Sequence, residues 1–160
     1  MQAIDTEFIL PFIDATKSTF EVALQKQVQQ KDVYVKMNDV MFGDISGRIA
    51  ITGSQQGAIA LSLPAEFAMN CIRDLIGEDE DATLKQSILH DGLGEIVNMI
   101  ASDAKTTLDL AQFNIDLGEP KVVSGRGHKM DRAQGSCTTS IIFTTDSGEE
   151  FSLDVCTLAN

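Results

Sequence analysis

The sequence predicts an α+β fold with a mainly antiparallel sheet, a long central helix and two further helices. Runs with the alternating polarity of strands come in two groups on either side of a helical middle section, which favours α+β over α/β architecture. Turn residues at 53–57 and 146–148 separate neighbouring strand runs, so each pair is expected to form a hairpin. No Pro-, Gly- or Ser-rich linker interrupts the chain, and residues 1–160 are expected to form a single domain.

The first half of the chain is predicted to contain one helix followed by three strands. Apolar residues recur at helical spacing over 11–26, and Pro11 suits a first helical position, where its missing amide hydrogen leaves no bond unmade. Polarity then alternates over 33–37 with the period of a strand. The first turn is flanked by two further predicted strands, at 45–52 and 58–63.

The second half is predicted to contain two helices followed by three strands. Pro64 opens an amphipathic helix, and Gly77 is well placed to end it in a left-handed conformation. An acidic connection leads to a long segment of helical period at 83–113. The segments that follow are rich in β-branched residues or alternate in polarity, and they predict strands at 121–125, 136–145 and 149–157.

Charge and cysteine usage exclude several classes of protein. A net charge of −12 disfavours binding to nucleic acid. No apolar run is long enough to cross a bilayer, and the acidic first ten residues lack the basic start of a secretory signal, so a cytoplasmic protein without membrane insertion is expected. Three cysteines without C-x-x-C spacing and two distant histidines predict reduced thiols and no metal site.

A narrow polar ridge runs along the predicted long helix. At about 100° per residue, the ridge residues fall within about 40° of one line on a helical wheel. They are Asp91, Glu95, Asn98, Ser102, Lys105 and Asp109. Apolar residues occupy the opposite side of the helix. Glu95 and Asn98 are three residues apart, so they are neighbours on the ridge and able to address one target together.

This ridge is either the solvated side of an amphipathic helix or a surface that another molecule approaches. Asn98 lies in mid-helix, where its propensity is poorer than that of Ala by about 0.5 kcal/mol. Gly92 and Gly94 flank the ridge, and each costs about 1 kcal/mol in a helix interior. Unfavourable residues along one polar line favour a binding surface. A tight crossing with another element would also require glycine, at Gly94 especially, and the sequence leaves both explanations open.

The segment Asp91-x-x-x-Glu95-x-x-Asn98 resembles the signature helix of the CheC/CheX/FliY chemotaxis phosphatases. In that family an Asp or Ser is followed by Glu four residues later and by Asn after three more. Residues 95–101 and Ala104-Lys105 are most similar to CheX, residues 11–20 resemble the family's opening helix, and Gly125-x-Gly127-His128 resembles its glycine turn. The likeness covers nearly the whole chain.

Three details of the sequence bear on how closely the chain follows the family pattern. The first predicted helix has no second Glu-x-x-Asn unit, which resembles single-site CheX rather than two-site CheC. Pro120 stands one residue earlier than the family pattern expects, and Ser102-Asp103 occupies a place where CheX-like chains often carry Gly-Asn. A loop absorbs a one-residue offset easily.

The resemblance implies a CheC-like fold and a phosphatase that hydrolyses the aspartyl phosphate of a CheY-type response regulator. It implies that Asn98 orients the attacking water and that Glu95 pairs with the active-site lysine of the regulator. Asp91, as a supporting charge, and Ser102 would extend the partner-binding surface. Mg²⁺ is expected on the regulator, so this chain would need no cofactor. The resemblance also implies a homodimer, for which strands 121–125 and 136–145 are the predicted edges.

Two other functions remain open at this level. The chain is alternatively a non-catalytic adaptor that binds a response regulator, a receptor or a flagellar switch component through the same ridge. The other alternative is an unrelated acidic protein-binding domain, which would be favoured if Glu95 and Asn98 turned inward. For residues 125–128 a plain turn is preferred to a phosphate-binding loop, because no helix begins after them.

Overall fold

The computed structural model of this chain describes residues 5–130 and 132–158, so the first four residues of the acidic N-terminal stretch lie outside the described residues. Its helices are α1 (Thr6–Val22), α2 (Ala65–Ile76) and α3 (Gln86–Leu110). Its strands are β1 (Val28–Lys36), β2 (Ile45–Gly53), β3 (Gly57–Leu63), β4 (Ile115–Leu117), β5 (Lys121–Ser124), β6 (Ser136–Thr145) and β7 (Glu150–Leu158). The predicted α+β class is confirmed.

The strands form one antiparallel sheet in the order β1-β6-β7-β3-β2-β4, with β5 also paired to β2. Both predicted hairpins are present, β2 with β3 and β6 with β7. The prediction that strand 136–145 offers a free edge is wrong, because β6 lies between β1 and β7 and pairs with both. The outer strands are β1 at one end and β4 and β5 at the other.

The hydrophobic core lies between the sheet and the helices. Phe8, Phe12 and Phe20 of α1 are fully buried, and the ring of Phe20 stacks on Phe151 of β7 with centroids 4.4 Å apart. Helix α3 contributes its apolar side to the same core and packs against α1, α2 and β2. Each fully buried Phe contributes roughly 1.5–3 kcal/mol by leaving water. This burial fixes α3 and directs its polar ridge outward.

Helix α1 begins five residues before the position that Pro11 predicted. Asp5 caps it, since its carboxylate accepts a hydrogen bond of 3.2 Å from the Phe8 amide. Pro11 therefore lies inside the helix, where its missing N–H leaves the Glu7 carbonyl without its usual donor. Glu7 is exposed, so water can satisfy that carbonyl. The capping residue decides where this helix starts, and the proline is tolerated in the second turn.

The end of α2 agrees with the prediction. Gly77 adopts φ 75°, the left-handed conformation that glycine favours, and its amide donates to the Arg73 carbonyl. By contrast, the short strand β4 was not predicted, because three residues carry too little alternation to show a strand period. This strand pairs with β2, and the chain continues from it to β5.

All three cysteines are free, as predicted, and differ in burial. Cys71 in α2 is fully buried, and this burial raises the pKa of its thiol to about 12. Cys137 and Cys156 are half-buried. We expect these two thiols to react with an aromatic disulfide reagent at pH 8 while Cys71 reacts only after unfolding in urea, because only the thiolate attacks.

The Cys71 thiol also predicts a pH dependence of stability. It stays protonated in the folded chain to about pH 12 but ionises near pH ~8.5 when unfolded. The folded state therefore binds the proton more tightly, and its free energy of unfolding should fall as pH rises from about 8.5 towards 12. A Cys71→Ala variant, measured by urea unfolding over the same pH range, should show a weaker decline.

Candidate functional site

The polar ridge of α3 faces away from the core, as its spacing predicted. Asp91, Glu95 and Ser102 are exposed and Asn98 is half-buried, whereas Ile96 and Val97 between them are fully buried. Glu95 and Asn98 therefore lie side by side on the outer face of the helix, about one turn apart. An inward orientation of Glu95 and Asn98 would have favoured an unrelated protein-binding domain. The structure shows the opposite orientation.

An open groove runs along this part of α3. The helix forms one wall, and the connection from β4 to β5, together with Val122 of β5, forms the other. The groove is lined by His90, Asp91, Gly94, Glu95, Asn98, Gly118, Glu119, Pro120 and Val122. The structure thus places Asp91, Glu95 and Asn98 in one groove, while Ser102 lies one turn beyond its lining residues.

Three polar side chains of the groove are free to meet another molecule. Within residues 5–130 and 132–158, no hydrogen bond or ion pair engages the side chains of Asp91, Glu95 or Asn98. The lining includes three carboxylates, those of Asp91, Glu95 and Glu119, and no Lys or Arg. The groove is consequently acidic and suits a partner surface that carries positive charge. A bare phosphate ester would be repelled from it.

Lys105, lower on the ridge, has a structural role. Its ammonium group donates to Asp109 at 3.0 Å and also to the Ile115 carbonyl at 2.8 Å. Ile115 begins β4, so this contact ties the strand to α3. The Gly118 amide then donates to the Ala50 carbonyl of β2. Both contacts hold the chain segment that leads to Glu119 and Pro120 on the opposite wall.

The two glycines beside the ridge are explained by close packing. A Cβ at Gly92 would lie 2.7 Å from Cγ2 of Ile72, a fully buried residue of α2. A Cβ at Gly94 would lie 3.4 Å from Cβ of Pro120, which is an ordinary contact. Gly92 thus permits the α2–α3 crossing, and Gly94 keeps the groove open on the side of Pro120. The crossing explanation, which the sequence favoured at Gly94 especially, holds at Gly92 instead.

Substitution of these glycines should have opposite effects on stability. We expect Gly92→Val to lower the free energy of unfolding by about 2–3 kcal/mol, because overpacking displaces Ile72. The melting temperature should then fall by roughly 5–10 °C. Gly94→Ala is the matched control, and it should raise the free energy of unfolding by up to about 1 kcal/mol through helix propensity. A neutral Gly92→Val in thermal and urea unfolding would contradict the crossing explanation.

Sequence reasoning missed five residues of the groove, namely His90, Gly118, Glu119, Pro120 and Val122. His90 is adjacent to Asp91 in the sequence, but its position off the ridge line hid it. Glu119 and Pro120 reach the groove only because β4 and β5 both pair with β2. Pro120 lies within one residue of a proline in the family pattern, which singled it out in the sequence. That agreement did not show that Pro120 faces α3.

The Gly125–His128 segment is a turn, as preferred from the sequence. Gly125 and Gly127 have positive φ values of 136° and 68°. His128 Nδ1 donates to the Gly125 carbonyl at 2.8 Å, and His128 Nε2 lies 2.7 Å from Ser46 Oγ. The turn is thereby pinned to β2 and takes no part in lining the groove.

Neither a metal-ligand cluster nor a membrane-spanning helix occurs in the described residues. No group of three or more His, Cys, Asp or Glu side chains in that part of the chain is arranged to hold a metal ion. Among the same residues, no helix has both the length and the hydropathy that a bilayer span requires.

Comparison with known proteins identifies the fold and the family. Residues 45–144 match the family described as chemotaxis phosphatase CheX. The crystal structure of chemotaxis protein CheX from Desulfovibrio desulfuricans is 28% identical, with a TM-score of 0.85 over 94% of this chain and 99% of that one. No curated protein matches this chain.

Two more distant structures share the fold. A CheC-like superfamily protein from Shewanella is 21% identical, with a TM-score of 0.85 over 98% of this chain and 100% of that one. A chain of the CheX-CheY-BeF₃-Mg²⁺ complex from Borrelia burgdorferi is 23% identical, with a TM-score of 0.80 over 95% of this chain and 98% of that one. The predicted CheC-like fold is confirmed. This chain belongs to the CheX family of chemotaxis phosphatases.

Proposed function

We propose that this chain hydrolyses the aspartyl phosphate of a CheY-type response regulator by docking the α3 groove over the phosphorylated site. The observation that carries the proposal is the pair formed by Glu95 and Asn98. The two side chains are adjacent on the outer face of α3, line the same groove and make no hydrogen bond within the described residues. Family membership supplies the reaction class, and the complex of a Borrelia CheX with CheY supports the partner class.

Asn98 is the proposed water-orienting residue. Phosphoryl transfer to water requires mainly positioning and charge stabilisation, with little covalent chemistry from the protein. A carboxamide has an acceptor oxygen and a donor nitrogen, so it can hold the attacking water while contacting the phosphoryl site. The half-buried position of Asn98 between α3 and the facing wall restricts its rotamers and favours a fixed orientation.

Glu95 is the proposed anchor. Its exposed carboxylate would pair with a lysine at the active site of the regulator, one helical turn from the water. Asp91 continues the same acidic wall, and Ser102 would contact the regulator outside the groove. We place Mg²⁺ on the regulator and no cofactor on this chain. In support, the lining offers no Lys or Arg, so the phosphoryl charge must be compensated by the partner.

The test is the decay of a phosphorylated CheY-type regulator, with Mg²⁺, alone and with this protein. Acceleration by catalytic amounts of protein is expected. Acetyl phosphate and p-nitrophenyl phosphate serve as controls, and neither should be hydrolysed, because the acidic groove does not compensate a free phosphate. Binding of the regulator without acceleration would establish the adaptor function instead. Absence of both binding and acceleration would contradict the proposal.

A homodimer joined at β1 accompanies this proposal. Within residues 5–130 and 132–158, the outer edge of β1 pairs with no other strand, and apolar side chains on and just after β1 line one pocket. Their exposed fractions are 43% for Tyr34, 83% for Met37 and 46% for Phe42. An exposed edge beside an apolar patch favours strand-to-strand association. Analytical ultracentrifugation should find a dimer for the wild type and a monomer for Tyr34→Glu/Phe42→Glu, and a wild-type monomer would contradict it.

A cytoplasmic location belongs to the same proposal. It is supported by the family, since the proposed substrate is a response regulator that acts inside the cell. Fractionation of cells that produce the tagged chain tests it, and recovery with the membrane or in the medium would oppose it.

A further inference from the structure

We infer that His90 is a positioning residue that donates a hydrogen bond from Nδ1 to an acceptor on the docked regulator. The inference rests on the proposed function, because it assigns a partner contact in the same groove. His90 lies at the end of the groove nearest the start of α3, one residue before Asp91, and it is half-buried.

The ring of His90 is held by two side chains outside the groove. Gln86, one turn earlier on α3, places its Nε2 at 2.8 Å from His90 Nε2. Ser124 of β5 places its Oγ at 3.1 Å from the same ring nitrogen and accepts from Gln86 Nε2 at 3.0 Å. These three residues join α3 to β5 and fix the plane of the imidazole. Only His90 of the three lines the groove.

The contacts of the ring determine its tautomer. The amide nitrogen of Gln86 is only a donor, so it donates to the one lone pair of His90 Nε2, and Ser124 Oγ accepts from the same amide nitrogen. A neutral imidazole that accepts at Nε2 carries its hydrogen on Nδ1. Within the described residues, no hydrogen bond engages Nδ1. The Nδ1–H group of His90 is therefore available as a hydrogen-bond donor.

The composition of the groove makes this donor significant. Its side-chain acceptors are abundant, since Asp91, Glu95 and Glu119 are all carboxylates. Its side-chain N–H donors are only those of His90 and Asn98. With the Asn98 amide committed to the attacking water and the phosphoryl site, His90 is the donor left for the partner. The matching chemistry on the regulator is a backbone carbonyl or a side-chain oxygen beside the phosphorylated residue.

Two conservative variants of His90 separate the Nδ1 donor from the contacts that Nε2 makes with Gln86 and Ser124. The Nδ2 of Asn occupies the place of the imidazole Nδ1, so His90→Asn keeps the donor to the groove and loses the contacts with Gln86 and Ser124. The Oε1 of Gln can take the place of the imidazole Nε2 as the acceptor, so His90→Gln keeps the contact with Gln86 and loses the donor to the groove. A purely structural role for His90 would be preserved better by Gln, whereas a partner contact would be preserved better by Asn.

The measurements are KM and kcat for phospho-regulator decay and the Kd for the regulator activated with beryllofluoride and Mg²⁺. We expect His90→Gln to raise KM and Kd about fivefold to tenfold with kcat unchanged, since one hydrogen bond to the partner is lost. His90→Asn should stay within about threefold of the wild type. Equal values for His90→Gln and wild type, or greater damage by Asn than by Gln, would overturn the inference.

Two further results distinguish this inference from the proposed function. Long-range ¹H–¹⁵N spectra should show the Nδ1–H tautomer of His90 in the free protein, and the Nε2–H tautomer would overturn the inference by itself. Wild-type protein that binds the regulator without hydrolysing it would contradict the proposed function, while weaker binding by His90→Gln would still support the His90 contact. Wild-type protein that binds no regulator would overturn both.

Discussion

Asn98→Ala is expected to remove nearly all acceleration of regulator dephosphorylation while leaving the fold intact. The side chain is half-buried and makes no hydrogen bond within the described residues, so its truncation breaks no internal contact. In a helix interior, Asn→Ala should even raise the free energy of unfolding slightly. A fixed polar group that stabilises a transition state commonly contributes a factor of about 10²–10³ to the rate, and a loss in kcat of that order is expected here.

The variant should affect kcat far more than KM. In the proposed mechanism, docking relies on Glu95, Asp91 and the surrounding groove, which the substitution leaves in place, whereas water orientation is needed only in the transition state. The matched control is Asp103→Ala, an exposed position on α3 that lies outside the groove. This control should retain wild-type kcat. Full activity of Asn98→Ala with an unchanged melting temperature would move the water-orienting role to another residue.

Glu95→Gln provides the complementary result. It keeps the size and hydrogen-bonding capacity of the side chain but removes the charge that would meet a lysine on the regulator. Charge-assisted pairs are about twice as strong as neutral hydrogen bonds, so KM should rise and its salt dependence should weaken. This result would assign the orientation of water to Asn98 and the anchoring of the regulator to Glu95, in agreement with their adjacent positions on α3.

The part of this site that the sequence predicted is the part that one helix carries. Asp91, Glu95 and Asn98 follow a single period, so their common face can be read without knowing the fold. Glu119 is different, because it reaches the groove only through the pairing of β4 and β5 with β2. Such pairing is a long-range property that neighbouring residues do not encode. The wall of the groove that faces α3 therefore could not be predicted from the sequence.

The two errors in the predicted fold have different causes, one local and one long-range. Pro11 is the weaker start signal, because the capping interaction between Asp5 and Phe8 competes with it and prevails. The strand period of β6 was correct, but its neighbours in the sheet were unknown. Since β1 pairs with β6 across a large sequence separation, local polarity could not show that this strand is internal. Hairpins joined by short turns were predictable because their partners are adjacent in the chain.

A buried ion pair on the sheet gives the largest expected loss of stability. Lys36 of β1 donates to Asp154 of β7 at 2.8 Å, and their side chains are only 8% and 7% exposed. Replacing Lys36 with Met would leave the Asp154 carboxylate buried without its counter-ion. Breaking one side of a buried pair typically destabilises a protein by about 3–5 kcal/mol, and we expect Lys36→Met to lower the free energy of unfolding by that amount.

The double variant Lys36→Met/Asp154→Leu should recover most of the lost stability. Asp154 Oδ1 is buried and has no hydrogen-bond partner in the described part of the chain, so the native pair does not offset its full desolvation cost. Removal of both charges also removes that deficit, and Met and Leu suit the neighbouring apolar side chain of Met41, whose sulfur lies 3.6 Å from the Lys36 nitrogen. Urea unfolding of the four proteins gives the coupling between the two residues.

The ion pair also tests how far the groove depends on the rest of the sheet. Neither Lys36 nor Asp154 lines the groove, and α3 is held mainly by α1, α2 and β2. Below the melting temperature of each variant, Lys36→Met should therefore keep wild-type kcat with a phosphorylated regulator. Loss of stability and loss of kcat in parallel would mean that β1 and β7 control the geometry of α3. Loss of stability alone would place the chemistry entirely on α3 and the wall that faces it.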